Sequence, residues 1–383
     1  MKKTFALSSA LAVMLAVLTA LTLSLSACFV ETDYCDHVWD DGTVIEQPTY
    51  TSEGVKKYVC TKCGEEKTES IPVLCEHSWD DGTVITKASY TADGQIEYVC
   101  AKCGEKKTET IPKLALPEPT PDATVTAVAE SNVKQLFADA FAANETATAV
   151  KVDLPAGEFS MKNEKTSATF SFSGKSVIIN GSGADTKYGS TYTEGKDGEY
   201  GADYTFDGAQ SVVFKNLTIN LGNSNFNGFI RPQSLVFENC VINGMGSYWG
   251  TGSVLFVNCT FNNDNGYNMW TYSGSEFVFE GCTFNSAKGK FLNVYKTAKA
   301  DATITMTNCK FVGTEVSKAA LNIKKNAGTI WTVSLNNCTL EGVDLLYKVN
   351  TPDYGAADTN DYSETKVYVD SKLVWQGDAA ITE

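Results

Sequence analysis

The sequence predicts an all-β protein in which a stack of short strands follows two small repeats containing cysteine and histidine. Two observations carry this prediction. One unit begins at Cys35 and returns without a gap at Cys75, an offset of 75 − 35 = 40 residues. Further along, a short phrase with apolar residues returns six times, from "VVFKNLTIN" to "VSLNNCTLE". Short strands with one recurring bend every 20 to 30 residues or so indicate a solenoid.

The first 28 residues have the layout of an export signal. Lys2 and Lys3 precede a long apolar run, and small residues lead to Cys28. The segment Leu25–Cys28 resembles the lipobox of bacterial lipoproteins. That resemblance implies removal of 1–27, a diacylglycerol on Cys28, a lipidated tether over 28–34 and an extracytoplasmic protein held on a bacterial membrane. A transmembrane anchor and an ordinary cleaved signal are the alternatives.

The remaining chain is long and acidic. Removal of 1–27 leaves 383 − 27 = 356 residues and changes the formal net charge from −15 to about −17. This exceeds a typical domain of roughly 100 to 200 residues, so we expect more than one unit. So acidic a surface argues against nucleic acid or an anionic membrane surface as the partner.

Each repeat supplies Cys-x-His and then Cys-x-x-Cys-Gly, and the only two histidines of the chain lie here. Three thiolates and one imidazole match a closed tetrahedral zinc site, and a unit of about 40 residues needs such a staple. We therefore predict two structural zinc ions and no catalysis in zinc-ribbon-like repeats over 35–74 and 75–113. The expected ligands are Cys35, His37, Cys60 and Cys63 in the first repeat, and Cys75, His77, Cys100 and Cys103 in the second.

Disulfides Cys60–Cys63 and Cys100–Cys103 are the alternative to zinc, because export favours oxidation. The units also resemble the short "C-x-H-x-W…C-x-x-C-G" modules found in tandem in bacterial surface proteins. That resemblance implies a spacer or docking role. We expect Trp39 and Trp79 to pack beside the metal.

A linker and a helix come next. Residues 114–126 contain three prolines and no apolar periodicity, which is typical of a linker. Residues 127–383 form the last predicted domain, and it opens with apolar residues at helical spacing, capped by Ser131 or Asn132. These apolar residues are Val133, Leu136, Phe137, Ala140 and Phe141.

The recurring phrase places a bend and an inward side chain in every coil. Asn and Gly tolerate positive φ, so their interchange at one position predicts a bend there. The bend residues are Asn216, Asn239, Asn258, Gly281, Asn308 and Asn337. We expect the residues that follow to point inward, the five cysteines among them being buried free thiols. They are Leu217, Cys240, Cys259, Cys282, Cys309 and Cys338.

This pattern resembles the right-handed parallel β-helix of the pectate-lyase-like families over roughly residues 127–383. The resemblance implies that the opening helix caps the first coil. It gives the predicted fold class: all-β, a right-handed parallel β-helix with an N-terminal capping helix, preceded by two small zinc-ribbon-like repeats. Fold alone does not give function, because such β-helices serve lyases, hydrolases, esterases and adhesins.

The sequence gives little support for an enzyme. No histidine follows His77, and the only arginine is Arg231. The nearest candidate calcium loop is "NNDNGYN" (262–268), for which an ordinary polar turn is the alternative. A lyase or hydrolase of the pectate-lyase-like class therefore remains an alternative function.

A binding face is better supported. If Ile230, Thr271, Val294 and Ile323 point inward, their neighbours face outward on one sheet, where aromatic rings can stack on sugars. We therefore predict a polysaccharide-binding surface, with Tyr248 or Trp249 as possible additions. Ordinary cross-strand stacking and a purely architectural stalk are the alternatives. The predicted binding residues are Arg231, Trp270, Tyr272, Asn293, Tyr295 and Lys324, beside Phe229 and Asn322.

Overall fold

The structure is a computed structural model. It describes residues 35–381 apart from 129, 161–169, 190–203, 222–228, 249, 264–267, 273–274, 287–290, 296–301, 314–318, 324–330, 347–364 and 377–378. The predicted signal, Cys28, Trp249 and Lys324 therefore lie outside the described residues, as does most of "NNDNGYN". Within the described residues no helix is both long and apolar enough to cross a membrane.

The chain divides into two compact units. The first runs to Val84 and includes Ile96–Glu109, and the second comprises Ile85–Gln95 and Thr110–Glu383. A short segment of the second repeat thus belongs to the same unit as the solenoid.

Both repeats are three-stranded sheets. Strands β1 (Thr43–Glu46), β2 (Gly54–Val59) and β3 (Glu66–Ile71) pair in that order and antiparallel in the first repeat. The same order holds in the second for β4 (Thr83–Thr86), β5 (Gly94–Val99) and β6 (Lys106–Ile111).

The solenoid opens with a strand and a helix. Helix α1 (Val133–Ala143) buries Val133, Phe137, Ala140 and Phe141, and its N-cap is Asn132, as predicted. Strand β7 (Ala123–Thr126) lies in the segment that we assigned to the linker, yet it pairs in parallel with β8 (Ala149–Leu154). We missed this strand because the three prolines of the segment indicated a linker.

The right-handed β-helix has three faces built mainly of parallel strands, and its longest sheet has twelve strands. Its strand order is the chain order, because each coil stacks on the one before it. After β7 and β8 come β10 (Ser176–Gly181), β13 (Ser211–Lys215), β16 (Ser234–Glu238), β19 (Ser253–Val257), β22 (Glu276–Glu280), β25 (Ala302–Thr307), β28 (Trp331–Asn336) and β31 (Thr365–Val369). Antiparallel strands β32 (Lys372–Gln376) and β33 (Ala379–Ala380) complete it.

The second sheet follows the bend in each coil. It has eight parallel strands, which are β9 (Gly157–Ser160), β11 (Thr186–Gly189), β14 (Thr218–Asn220), β17 (Val241–Asn243), β20 (Thr260–Asn262), β23 (Thr283–Ser286), β26 (Lys310–Gly313) and β29 (Thr339–Glu341).

The third face has two separate sheets. One has five strands, which are β18 (Gly246–Ser247), β21 (Met269–Tyr272), β24 (Leu292–Tyr295), β27 (Ala319–Ile323) and β30 (Asp344–Leu346). The other pairs β12 (Tyr204–Thr205) with β15 (Phe229–Ile230).

The bends occur where the sequence predicts them. Every predicted bend residue has a positive φ between 50° and 65°. Amide side chains also form a ladder along the bends: Asn239 Nδ2 donates to Asn216 Oδ1 at 3.1 Å, and Asn337 Nδ2 to Asn308 Oδ1 at 2.7 Å. Asparagine therefore both accepts the backbone conformation and links successive coils.

Stacked rings and thiols fill the interior. Phe214, Phe237, Phe256 and Phe279 stack in sequence with centroid separations of 5.2, 4.7 and 4.9 Å. The predicted inward cysteines are free, four of them are buried, and Cys338 is half-buried. Each thiol donates to a carbonyl oxygen of the preceding coil, as Cys240 Sγ does to Phe214 O at 3.5 Å. Burial raises the pKa of the Cys259 and Cys282 thiols well above the ordinary value, which keeps them unreactive.

Candidate functional site

The fold of each repeat brings its four candidate metal ligands to one point. In the first repeat, Trp39 pairs with Cys60 at the end of β2, which carries the Cys-x-His segment onto the turn before β3. Gly64 closes that turn by donating its N–H to Cys60 O at 2.9 Å, with a φ of 76°. The second repeat makes the same pairing between Trp79 and Cys100.

The four ligand atoms of each cluster are close enough to surround one ion. Within each cluster all four lie within 4.8 Å of one another. His37 Nδ1 is 3.4 Å from Cys63 Sγ, and Cys35 Sγ is 3.9 Å from Cys60 Sγ. The two corresponding distances in the second repeat are both 3.5 Å. Ligands around tetrahedral zinc are about 3.5–3.8 Å apart, so both clusters could hold a metal ion.

The first cysteine of each Cys-x-x-Cys-Gly turn favours the thiolate form. Burial disfavours the charged form of Cys60, but the backbone N–H groups of Cys63 and Lys62 and the His37 side chain outweigh it and lower the pKa of Cys60 to about 5. The same balance lowers the pKa of Cys100 to about 5.

The more N-terminal cysteine of each cluster behaves in the opposite way. A hydrogen bond with Cys63, together with burial and the nearby Cys60 sulfur, raises the pKa of Cys35 to about 11. Burial and two neighbouring sulfurs raise the pKa of Cys75 to about 12. A cation would offset this crowding of sulfurs, which is the electrostatic signature of a metal site.

A carboxylate orients each histidine from behind. His37 Nε2 lies 3.3 Å from Glu65 Oε2, and His77 Nε2 lies 3.5 Å from Glu105 Oε2, which leaves Nδ1 to face the sulfurs. We did not predict Glu65 or Glu105, although a glutamate follows the Cys-x-x-Cys-Gly in both repeats. Each tryptophan stacks on the histidine of its cluster, with ring centroids 5.1 Å apart for His37–Trp39 and 4.9 Å for His77–Trp79.

Some of the predicted binding residues lie on the five-stranded sheet. Met269 and Thr271 of β21 are fully buried, so Trp270 and Tyr272 occupy the alternate positions of that strand. Trp270 pairs in register with Asn293. Tyr272 pairs with Tyr295, and Asn293 with Asn322 on the next strand. The exposure of these rings stays a prediction.

Two predicted members lie elsewhere. Arg231 is not on the five-stranded sheet: β15 ends at Ile230, and Arg231 has a φ of 60° and forms an exposed ion pair with Asp207 at 3.3 Å. Its left-handed conformation ends the strand, which the alternation could not indicate. Tyr248, offered as an addition, is fully buried and packs edge-on against Phe256.

The fold and the clusters together define a right-handed parallel β-helix protein that carries two Cys₃His centres. Comparison with protein families supports the first half of that description. The family described as "right handed beta helix region" matches residues 166–345, which covers the central coils. Neither the curated proteins nor the solved structures gave a match.

Proposed function

We propose that this is a lipid-anchored, extracytoplasmic surface protein whose β-helix binds a polysaccharide without catalysis. Two zinc-stabilised repeats separate the β-helix from the anchor in the chain. The observation that carries the binding function is the register of the five-stranded sheet. It puts Trp270, Asn293 and Asn322 in one row and Tyr272 and Tyr295 in the neighbouring row, so aromatic and amide residues are grouped on one sheet.

Such rows suit a sugar chain. Aromatic rings stack on the apolar faces of pyranoses, and amide groups bond their hydroxyls. Parallel strands are about 4.8 Å apart, so the three strands β21, β24 and β27 span roughly 10 Å, about two sugar units. A solenoid face is a suitable platform because each coil adds one equivalent position.

Zinc is the ion that the clusters support best. The donor set is three sulfurs and one imidazole nitrogen, which borderline-soft zinc prefers. When bound, the ion would supply structural cross-linking, because four protein ligands leave no position for water. Glu65 and Glu105 would keep each imidazole in the tautomer that presents Nδ1.

The anchor follows from the sequence alone, since residues 1–34 are outside the described structure. Cys28→Ala, expressed in a bacterial host, should move the protein from the membrane fraction to the soluble extracytoplasmic fraction. A matched Cys338→Ala variant should stay in the membrane fraction. Retention of Cys28→Ala on membranes would contradict lipid anchoring.

A glycan array tests the binding function. The purified protein should bind a subset of acidic or neutral polysaccharides, and those polysaccharides should remain intact after incubation with calcium. Unsaturated sugar products would instead identify a polysaccharide lyase. If the protein bound none of the polysaccharides, the architectural stalk would be favoured.

A further inference from the structure

The outer face of the twelve-stranded sheet carries a row of apolar side chains. An outer face in contact with water alone would not need them. Outward positions of successive strands pair in register along the solenoid, and all are aliphatic. Most are fully buried. The row consists of Ile178, Val213, Val236, Leu255 and Val278.

A loop of the second repeat covers this row. Tyr90 packs against the aliphatic row together with Leu116. Beside them, the carboxylate of Glu280 is buried and receives three hydrogen bonds from the same loop. Tyr90 N donates at 3.1 Å, Thr91 N at 2.7 Å and the Thr91 hydroxyl at 2.5 Å.

The row of bends contains a glycine at this contact. Glycine replaces asparagine in the row of bends only at Gly281, directly after Glu280. A Cβ atom there would lie 2.6 Å from Asn258 Oδ1 on the preceding coil and 3.3 Å from the Thr91 methyl group, both closer than ordinary packing distance. The break in the asparagine pattern thus lies beside the seated loop, where Asn258 and Thr91 together leave little room for a side chain.

The first repeat contains the same loop in the same conformation. In what we name the second loop (Ser89–Ala92), Ser89 N donates to Ala92 O at 2.9 Å, and Leu114 N donates to Ser89 O at 2.7 Å. In the first loop (Thr49–Ser52), Thr49 N donates to Ser52 O at 2.9 Å, and Leu74 N donates to Thr49 O at 2.9 Å.

Side-chain bonds confirm the match. Thr51 N donates to Thr49 Oγ1 at 3.2 Å, as Thr91 N does to Ser89 Oγ at 3.3 Å. The first loop thus presents the same tyrosine, the same threonine hydroxyl and the same two N–H groups.

The first loop differs in being uncovered. Tyr50 is 56% exposed, whereas its counterpart Tyr90 is half-buried. In the part of the chain that the structure describes, no carboxylate accepts from the N–H groups of Tyr50 and Thr51.

The geometry points to the first loop as a docking site for another protein. The occupant that it fits is a glutamate side chain set beside exposed aliphatic residues on a β-sheet face, the surface that the second loop covers within this chain. The two N–H groups and the Thr51 hydroxyl would bind the carboxylate, and Tyr50 would cover the apolar neighbours. This inference is independent of polysaccharide binding.

The chain itself provides the probe. We would prepare a full-length acceptor in which both loops carry repelling carboxylates (Tyr50→Asp, Thr51→Asp, Tyr90→Asp, Thr91→Asp), so that Glu280 and its aliphatic row are free. The wild-type chain, with its first loop intact, is passed over the immobilised acceptor. Amide exchange in β22 and metal content establish beforehand that the acceptor has an open row and folded repeats.

The proposal predicts saturable binding of the wild-type chain. Binding should weaken at least tenfold when the chain passed over the acceptor carries Tyr50→Asp and Thr51→Asp. It should weaken equally when the acceptor also carries Glu280→Gln. Thr68→Asp, at an exposed position of β3 in the first repeat, should leave binding unchanged. Absence of wild-type binding, or equal binding by the first-loop variant, would overturn the proposal.

Discussion

Asparagine at the bends has two roles that no other residue combines. It accepts a φ near 52° with little strain, as Asn239 and Asn258 do, because its short polar side chain tolerates the left-handed region. Its amide then donates to the equivalent amide of the coil before, as Asn239 does to Asn216. Glycine can supply only the first role.

Two substitutions at Asn239 separate these roles. Asn239→Gly should lose only the ladder bonds, about 0.5–1.5 kcal/mol of unfolding free energy. Asn239→Val should lose a further 1–2 kcal/mol or so, because a β-branched residue is strained at positive φ. Urea denaturation of both variants gives the comparison, and equal losses would show that the backbone conformation is not what selects asparagine.

Prediction at single positions succeeded where one physical property determined the residue type. Interchange of Asn and Gly indicated the bends, and the cysteines after them proved to be inward. The second amide ladder was missed, although an asparagine ends many of the phrases: Asn243 donates to Asn220 and Asn285 to Asn262, both at 2.9 Å. Strand alternation cannot distinguish a solvated asparagine from one in a ladder, because both point outward.

At the scale of elements, each repeat is a sheet with its own ligand cluster. The four ligands of the first cluster come from residues 35–63 and those of the second from residues 75–103. A sheet this small has few buried apolar side chains, so an ion would contribute much of its stability.

Removal of one histidine should therefore affect one ion. We expect the full chain to contain two zinc ions, His37→Ala to contain one, and His77→Ala to contain one. Mass-spectrometric metal analysis measures this directly, with Tyr50→Ala as a control that should keep both ions. Two ions in His37→Ala, or none in the wild type with its thiols reduced, would contradict the assignment.

The seating of the second loop should depend on pH. Burial disfavours the Glu280 carboxylate, but the Ser89 and Thr91 hydroxyls and the N–H groups of Tyr90 and Thr91 outweigh it, so the pKa of Glu280 lies below its ordinary 4.5. A lowered pKa means that the charged form stabilises the contact. That stability is present above pH 4.5 and is lost as the pH falls through the lowered pKa.

Amide exchange tests this dependence. Protection of the Tyr90 and Thr91 amides, corrected for intrinsic rates, should fall as the pH is lowered from 4.5 through the lowered pKa of Glu280. Glu280→Gln should show weaker protection with no such fall, while Glu276→Gln on the same strand should match the wild type. A pH-independent wild-type protection would mean that the carboxylate does not hold the loop.

Element-level prediction failed where another segment covers a surface. Residues 114–126 read as a linker, yet Leu116 packs on the outer apolar row and Lys215 Nζ lies 2.6 Å from Glu118 Oε2. The signal was present in strands such as "SVVFK" and "SLVFE", where three adjacent apolar residues break the alternation. Such a run indicates that both faces of the strand are covered.

At the scale of the molecule, the β-helix turns a sequence phrase into rows along its length. Inward positions become the phenylalanine and cysteine stacks, and bend positions become the amide ladder. The third face becomes a row of Trp270, Asn293 and Asn322, each on a different coil. The general fold was predictable because the phrase repeats, whereas the ligand of the row was not, because aromatic and amide residues suit many different polysaccharides.

The most direct test of the proposed function compares the wild type with Trp270→Ala on a polysaccharide selected from the array. Loss of a central aromatic contact should weaken binding by about 2 kcal/mol or more, roughly thirtyfold in Kd. The melting temperature should barely change, since strand alternation from buried Met269 and Thr271 predicts an outward side chain at residue 270. Unchanged affinity, or a large fall in melting temperature, would contradict a binding surface on this sheet.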